Sequence, residues 1–165
     1  MNKPRFNKAL TSLLLIPLLL LLPAAYASPP VSGSGTFTAT VTSATVVHTD
    51  DDGNTLYKFS GPDVFTGTIS GTGAFTVYLL VRPSGADTGR GTVTCPCSIG
   101  GQAGVISSQF TSMGTFGGPG IGHFVDTGSG GLDGLHAVGT FQFVTTSTGF
   151  AGPYQIEYHF DNQDE

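Results

Sequence analysis

From Thr36 to Val47 the chain alternates threonine with Phe37, Ala39 and Val41, the period-two signature of a strand with one buried face. A helix would bring apolar residues back about every 3.6 positions, and that spacing is absent here. Acids, glycine and asparagine at His48–Asn54 break the run into a loop, and extended character resumes around Leu56 and Lys58. Gly61-Pro62-Asp63 and Ser70-Gly71-Thr72-Gly73 bracket a short strand, Val64 to Ile69. Ala74 to Val81 then places Phe75, Val77, Leu79 and Val81 on one face, as the second arm of a hairpin. Pro83 to Asp87 closes that strand. Gly89 to Thr94 and Gly104 to Phe116 read as the next extended segments, and Gly117-Gly118-Pro119-Gly120 breaks the chain before Ile121 to Thr127. A glycine-rich connection, Gly128 to Gly134, leads into alternating Phe141 and Phe143. Beyond the turn at Ser147-Thr148-Gly149, Tyr154 to Asp161 sets Ile156, Tyr158 and Phe160 against Glu157 and His159 on the opposite face. Eight or nine short strands without a helical window predict an all-β domain, either a closed or nearly closed antiparallel barrel or a sandwich.

Composition sharpens this picture. Twenty-five glycines and abundant threonine disfavour helices and suit pleated strands, and the 12 phenylalanines supply more apolar area than a disordered chain carries. At the N-terminus Lys3, Arg5 and Lys8 precede an apolar core, Leu13 to Leu22, and then Ala25-Tyr26-Ala27, the layout of a secretory signal peptide cleaved after Ala27. Pro17 and Pro23 interrupt the segment as a spanning helix. The expected organisation is therefore a signal peptide at 1–27, a flexible linker at 28–35, one barrel domain at 36–161 and a frayed tail at 162–165, with a secreted or extracytoplasmic location.

Loss of the leader leaves Lys58, Arg82 and Arg90 against eleven acids, 3 − 11 = −8. Such a surface repels phosphate backbones and anionic lipid heads, which argues against nucleic acid and against a membrane once the signal is gone. The acidic loop fails as a helix–loop–helix calcium site: with Gly53 at the obligatory sixth position, His48 and Phe59 occupy places that need carboxylates. Gly128, Gly130 and Gly134 miss the dinucleotide fingerprint by one residue and precede no helix. No serine has the glycines of a nucleophile elbow. His123, His136 and His159 fall on three segments without a close-spaced ligand pair, so neither a metal nor another cofactor is called for. Cys95-Pro96-Cys97 leaves a disulfide open, since an i, i+2 pair lies near the ~6.8 Å Cα limit unless Pro96 kinks the chain; redox or metal chemistry is the rival role. One candidate acid stands out. Asp126 shares a strand face with Phe124, so it enters the interior if Phe124 does, where burial would raise its pKa; at a strand end it would instead reach solvent.

Four segments also carry a resemblance. Thr36 to Ser43, Phe65-Thr66-Gly67-Thr68-Ile69, Gly128-Ser129-Gly130-Gly131-Leu132-Asp133-Gly134-Leu135 and Tyr154-Gln155-Ile156-Glu157-Tyr158 occur in the order seen in the bacterial DUF3224 family, grouped with the allene oxide cyclase-like and dirigent-like barrels. The chain departs from that pattern at Ala137, where the family usually has glycine, and in lacking tryptophan. The resemblance implies an eight-stranded antiparallel barrel of the allene oxide cyclase-like type, its interior either filled or holding a small apolar ligand. It transfers no catalytic residue. The leading functional expectation is a secreted module binding a small hydrophobic molecule through Phe75, Val77, Phe124, Phe141, Phe143, Tyr158 and Phe160. The alternatives are a cofactor-independent isomerase or cyclase, and a structural or homo-oligomerising protein with a filled core.

Overall fold

The computed structural model describes residues 29–161, so the expected signal peptide and the tail at 162–165 lie outside the described residues. Nine strands follow in order: β1 (Val31–Thr40), β2 (Ser43–Thr49), β3 (Thr55–Gly67), β4 (Ile69–Val81), β5 (Ala86–Ile99), β6 (Gln102–Thr115), β7 (Pro119–Ser129), β8 (Leu135–Thr145) and β9 (Gly149–Phe160). Each neighbour pairs antiparallel, and β1 pairs with both β9 and β3. That double pairing closes an eight-stranded antiparallel barrel. β2 lies outside the circuit, paired with β3 alone and exposed along its whole length.

Four details differ from the sequence expectation. β1 begins at Val31, inside the expected linker, and pairs with β9 from Val31↔Tyr158 onward. Gly33 and Gly35 belong there because a Cβ on either would strike Thr68 or Tyr154. The run from Thr36 to Val47 is two strands, interrupted at Val41 and Thr42. Gly61-Pro62-Asp63 is not a turn: β3 runs through it, and Pro62, with no N–H to give, sits where β1 has ended and β2 has not begun. Ser70 to Gly73 likewise belongs to β4, and the hairpin turns at Thr68. There Gly67 takes a φ of 100°, and the Thr68 amide donates to the Ser34 carbonyl at 2.9 Å.

Odd-numbered residues of β1, β3, β4 and β5 and even-numbered residues of β6, β7 and β9 face inward, as the burial pattern shows. At one end of the barrel they form a dense apolar floor that includes Ile99, Ile106, Leu135 and Ile156. The glycine-rich connection completes this floor. A single 3-10 turn, Gly130–Leu132, folds back so that Leu132 becomes wholly buried. Gly104 and Gly128 lie so close to it that a Cβ on either would collide with Leu132. The glycines therefore permit a plug, in addition to reversing the chain.

A candidate ligand cavity lined by phenylalanines and three buried carboxyls

Above the floor the barrel is hollow. A cavity of about 430 Å³ runs toward the end where the chain turns at Phe116–Gly117 and at Thr145–Gly149, and those turns line it. A filled core is thus not what the sequence makes. Its walls carry Phe37, Phe59, Phe65, Phe110, Phe124 and Phe141, along with other apolar side chains.

The hollow has a local cause in the strand register. Phe110 pairs with Gly91, Phe124 with Gly139, Phe141 with Gly122 and Phe143 with Gly120. In each pair the aromatic ring covers the glycine, and a Cβ there would run into the ring. Rings laid across glycines hug the wall, so aromatic area is buried without filling the lumen. Phe141 is the hub, packing edge-on against Phe37 at 5.7 Å and Phe110 at 5.9 Å.

Three carboxyls enter this apolar space, from alternate strands β3, β5 and β7. Asp63, Asp87 and Asp126 are 4%, 4% and 2% exposed, and Oδ1 of each has no hydrogen-bond partner among the described residues. Burial pushes Asp63 from 3.8 up to about 7. Burial likewise raises Asp126 to about 6, against a hydrogen bond from Ser108 that favours the charged form. Asp87, beside the Arg82–Gly85 turn, is also raised by burial, and the positive charge of Arg82 works in the opposite direction. Tyr154 is the remaining titratable group on the lining. Its hydroxyl accepts from the Ile69 amide at 2.8 Å and lies within donating distance of the Thr66 carbonyl at 3.2 Å. Burial and the nearby Asp126 hold its proton on, although the Ile69 hydrogen bond works the other way.

Of the residues expected to meet a ligand, Phe75, Val77, Phe124, Phe141 and Phe143 line the cavity. Tyr158 and Phe160 do not. Tyr158 is buried in the floor cluster and Phe160 packs against it, because β9 carries them past the cavity toward the plugged end. Asp126 faces inward with Phe124 rather than reaching solvent. The sequence reading missed Asp63 and Asp87, having assigned both to turns. Parity was the available signal: Asp63 shares a face with Phe59 and Phe65, and Asp87 with Val93.

Other candidate groups lie away from the cavity. Cys95 and Cys97 are buried in the floor at disulfide distance, Cα atoms 5.2 Å apart. Gly71 and Gly73 of β4 leave the room for them, since a Cβ on either would crowd Cys97 or Cys95. His123 is exposed on β7. His136 and His159 are cross-strand neighbours on the outer wall, with rings stacked at 5.5 Å and His136 Nε2 at 3.0 Å from Asp161 Oδ2. In the acidic loop, Asp50 Oδ1 accepts from the amides of Asp52 and Asn54, so this carboxylate organises the turn between β2 and β3.

No protein-family model and no curated protein matches the sequence. Among solved structures, the chain is similar to a crystal structure of a protein of unknown function from the DUF3224 family of Shewanella oneidensis MR-1. The two are 17% identical, with a TM-score of 0.65, over 82% of this chain and 100% of that one. The closed barrel described above therefore has the same fold as that DUF3224 structure.

Proposed function

We propose that this is an exported binding protein that carries a small hydrophobic molecule in its barrel. The observation that supports this reading is the cavity of about 430 Å³, walled by phenylalanine rings and lined at one end by the turns at Phe116–Gly117 and Thr145–Gly149. Its size falls within the range of roughly 300–1,000 Å³ typical of small-molecule sites, and its few polar groups sit among apolar ones, as in such sites. An acid–base isomerase is a second reading, favoured by the two carboxyls that titrate at about 7 and about 6. Binding is preferred because the one phenol on the lining, Tyr154, is already committed to backbone groups.

Titration with the neutral fluorophore N-phenylnaphthylamine tests the binding reading. Saturable fluorescence enhancement with one site per barrel is expected, and displacement by other apolar molecules should follow. A probe that stays dark at every concentration below its solubility limit would overturn it.

A further inference from the structure

A purely apolar ligand leaves part of this cavity unexplained. Asp63, Asp87 and Asp126 each present a carboxyl oxygen that no described residue satisfies, at sites at least nine-tenths covered. Buried polar atoms are normally paired, and an exception calls for an explanation, which a partner from outside the chain would supply. Asp63 is the clearest case, for burial acts on it with no compensating charge or hydrogen bond from the described residues. Asp126 has help from Ser108 alone. Arg82 faces Asp87 electrostatically, so the cation supplied by the chain serves the carboxyl near the turn and leaves the other two without one. Around them stand aromatic rings, whose faces attract positive charge.

We infer that the barrel selects a lipophilic organic cation, an ammonium group attached to an apolar body, with Asp63 or Asp126, which stand on opposite walls of the barrel, receiving the charged end and the phenylalanine wall receiving the rest. This rests on the binding reading above and narrows it to a ligand class. An ammonium supplies donors to oxygens that lack them and brings a charge opposite to the one burial penalises. The alternatives fit less well: a fatty acid would add a carboxylate to three, and a neutral hydrocarbon would leave all three oxygens unmet. The acidic excess of the chain also steers cations toward it. Because a bound cation favours the ionised carboxyl, binding expels protons to solvent at pH values where the empty barrel still holds them.

Three ligands on one phenylbutyl skeleton test this: the neutral alcohol, the primary amine, and the trimethylammonium ion, whose charge does not titrate. Isothermal titration at about neutral pH should show both cations binding at least about tenfold tighter than the alcohol. Running the titrations in buffers of different ionisation enthalpy should reveal proton release. The Asp63→Asn/Asp126→Asn double variant should bind all three ligands alike, keeping the alcohol's affinity, and the trimethylammonium preference of the wild type should disappear at about pH 4, where the carboxyls are neutral. Equal affinity for alcohol and cations in the wild type overturns the cation inference and leaves the binding reading standing. Binding of none of the three, together with a dark N-phenylnaphthylamine titration, overturns both. A cation preference that survives the double variant unchanged overturns the assignment to Asp63 and Asp126.

Discussion

Replacing Asp63 with asparagine should invert its effect on stability between acid and neutral pH. In the native barrel the Asp63 carboxyl titrates at about 7, and 3.8 is its ordinary value. Below about 3.8 both folded and unfolded chains hold the proton and the group costs little. Between the two values the unfolded chain has released its proton and the folded one retains it, so each pH unit of increase favours unfolding by about 1.36 kcal/mol. Across the whole interval the loss amounts to about 4 kcal/mol, and it is complete above about pH 7. Asparagine does not titrate. It brings instead an amide whose donors face the same apolar space, at a pH-independent cost of about 1–3 kcal/mol. Urea unfolding of ligand-free protein should therefore find Asp63→Asn less stable than wild type near about pH 4 and more stable near about pH 8, by roughly 1–3 kcal/mol in each direction. The reasoning is refuted if the two stability curves run parallel over that range, because the carboxyl would then titrate in the barrel as it does in the unfolded chain.

Two substitutions probe the construction of the cavity. Gly139→Val places a branched side chain against the Phe124 ring and the Gln155 carbonyl, and it should lower the urea midpoint by the equivalent of about 1–3 kcal/mol while weakening N-phenylnaphthylamine binding; unchanged stability and binding would show that the ring does not rest on that glycine. Leu132→Ala empties the plug, and with the side chain fully buried the cost should be about 2–5 kcal/mol by the same assay, whereas a loss below about 1 kcal/mol would mean that the floor closes without it.

The all-β class was legible because alternation is a local property: Phe75, Val77 and Leu79 announce an inward face whatever they pack against, but alternation left barrel and sandwich both open, and the barrel was expected from the resemblance alone. The errors cluster where glycine and proline were read as punctuation. Gly61-Pro62-Asp63 carries every mark of a turn, yet its strand continues because the neighbouring strand changes from β1 to β2 at that level. Gly71 and Gly73 look like a loop and are strand residues that make room for Cys97 and Cys95. Both cases depend on what lies across the sheet, which no local window contains. The same misreading hid the chemistry, since assigning Asp63 and Asp87 to turns removed them from the parity count that would have pointed them inward. Tyr158 and Phe160 show the converse: parity gave their face correctly, but height along the barrel depends on the stagger of β9, and that placed them in the floor.

Glycine abundance thus has a structural meaning beyond flexibility. A barrel of eight strands is about wide enough for its own side chains to fill, so a lumen must be made by leaving inward positions empty. Here Gly91, Gly120, Gly122 and Gly139 are those positions, each roofed by the phenylalanine across from it. The arrangement maximises aromatic wall while giving up core volume, and it admits carboxyls that burial then penalises. Asp63 and Asp126 together remove on the order of 7 kcal/mol from the empty barrel by neutral pH, against a typical total of about 5–15 kcal/mol for a folded domain. A fold under selection for stability alone would place neutral side chains at both positions. A cation seated beside either would return part of that loss, so the inferred ligand should raise the thermal midpoint of the wild type far more at about pH 8 than at about pH 4, whereas in the Asp63→Asn/Asp126→Asn variant it should raise the midpoint by the same smaller amount at both.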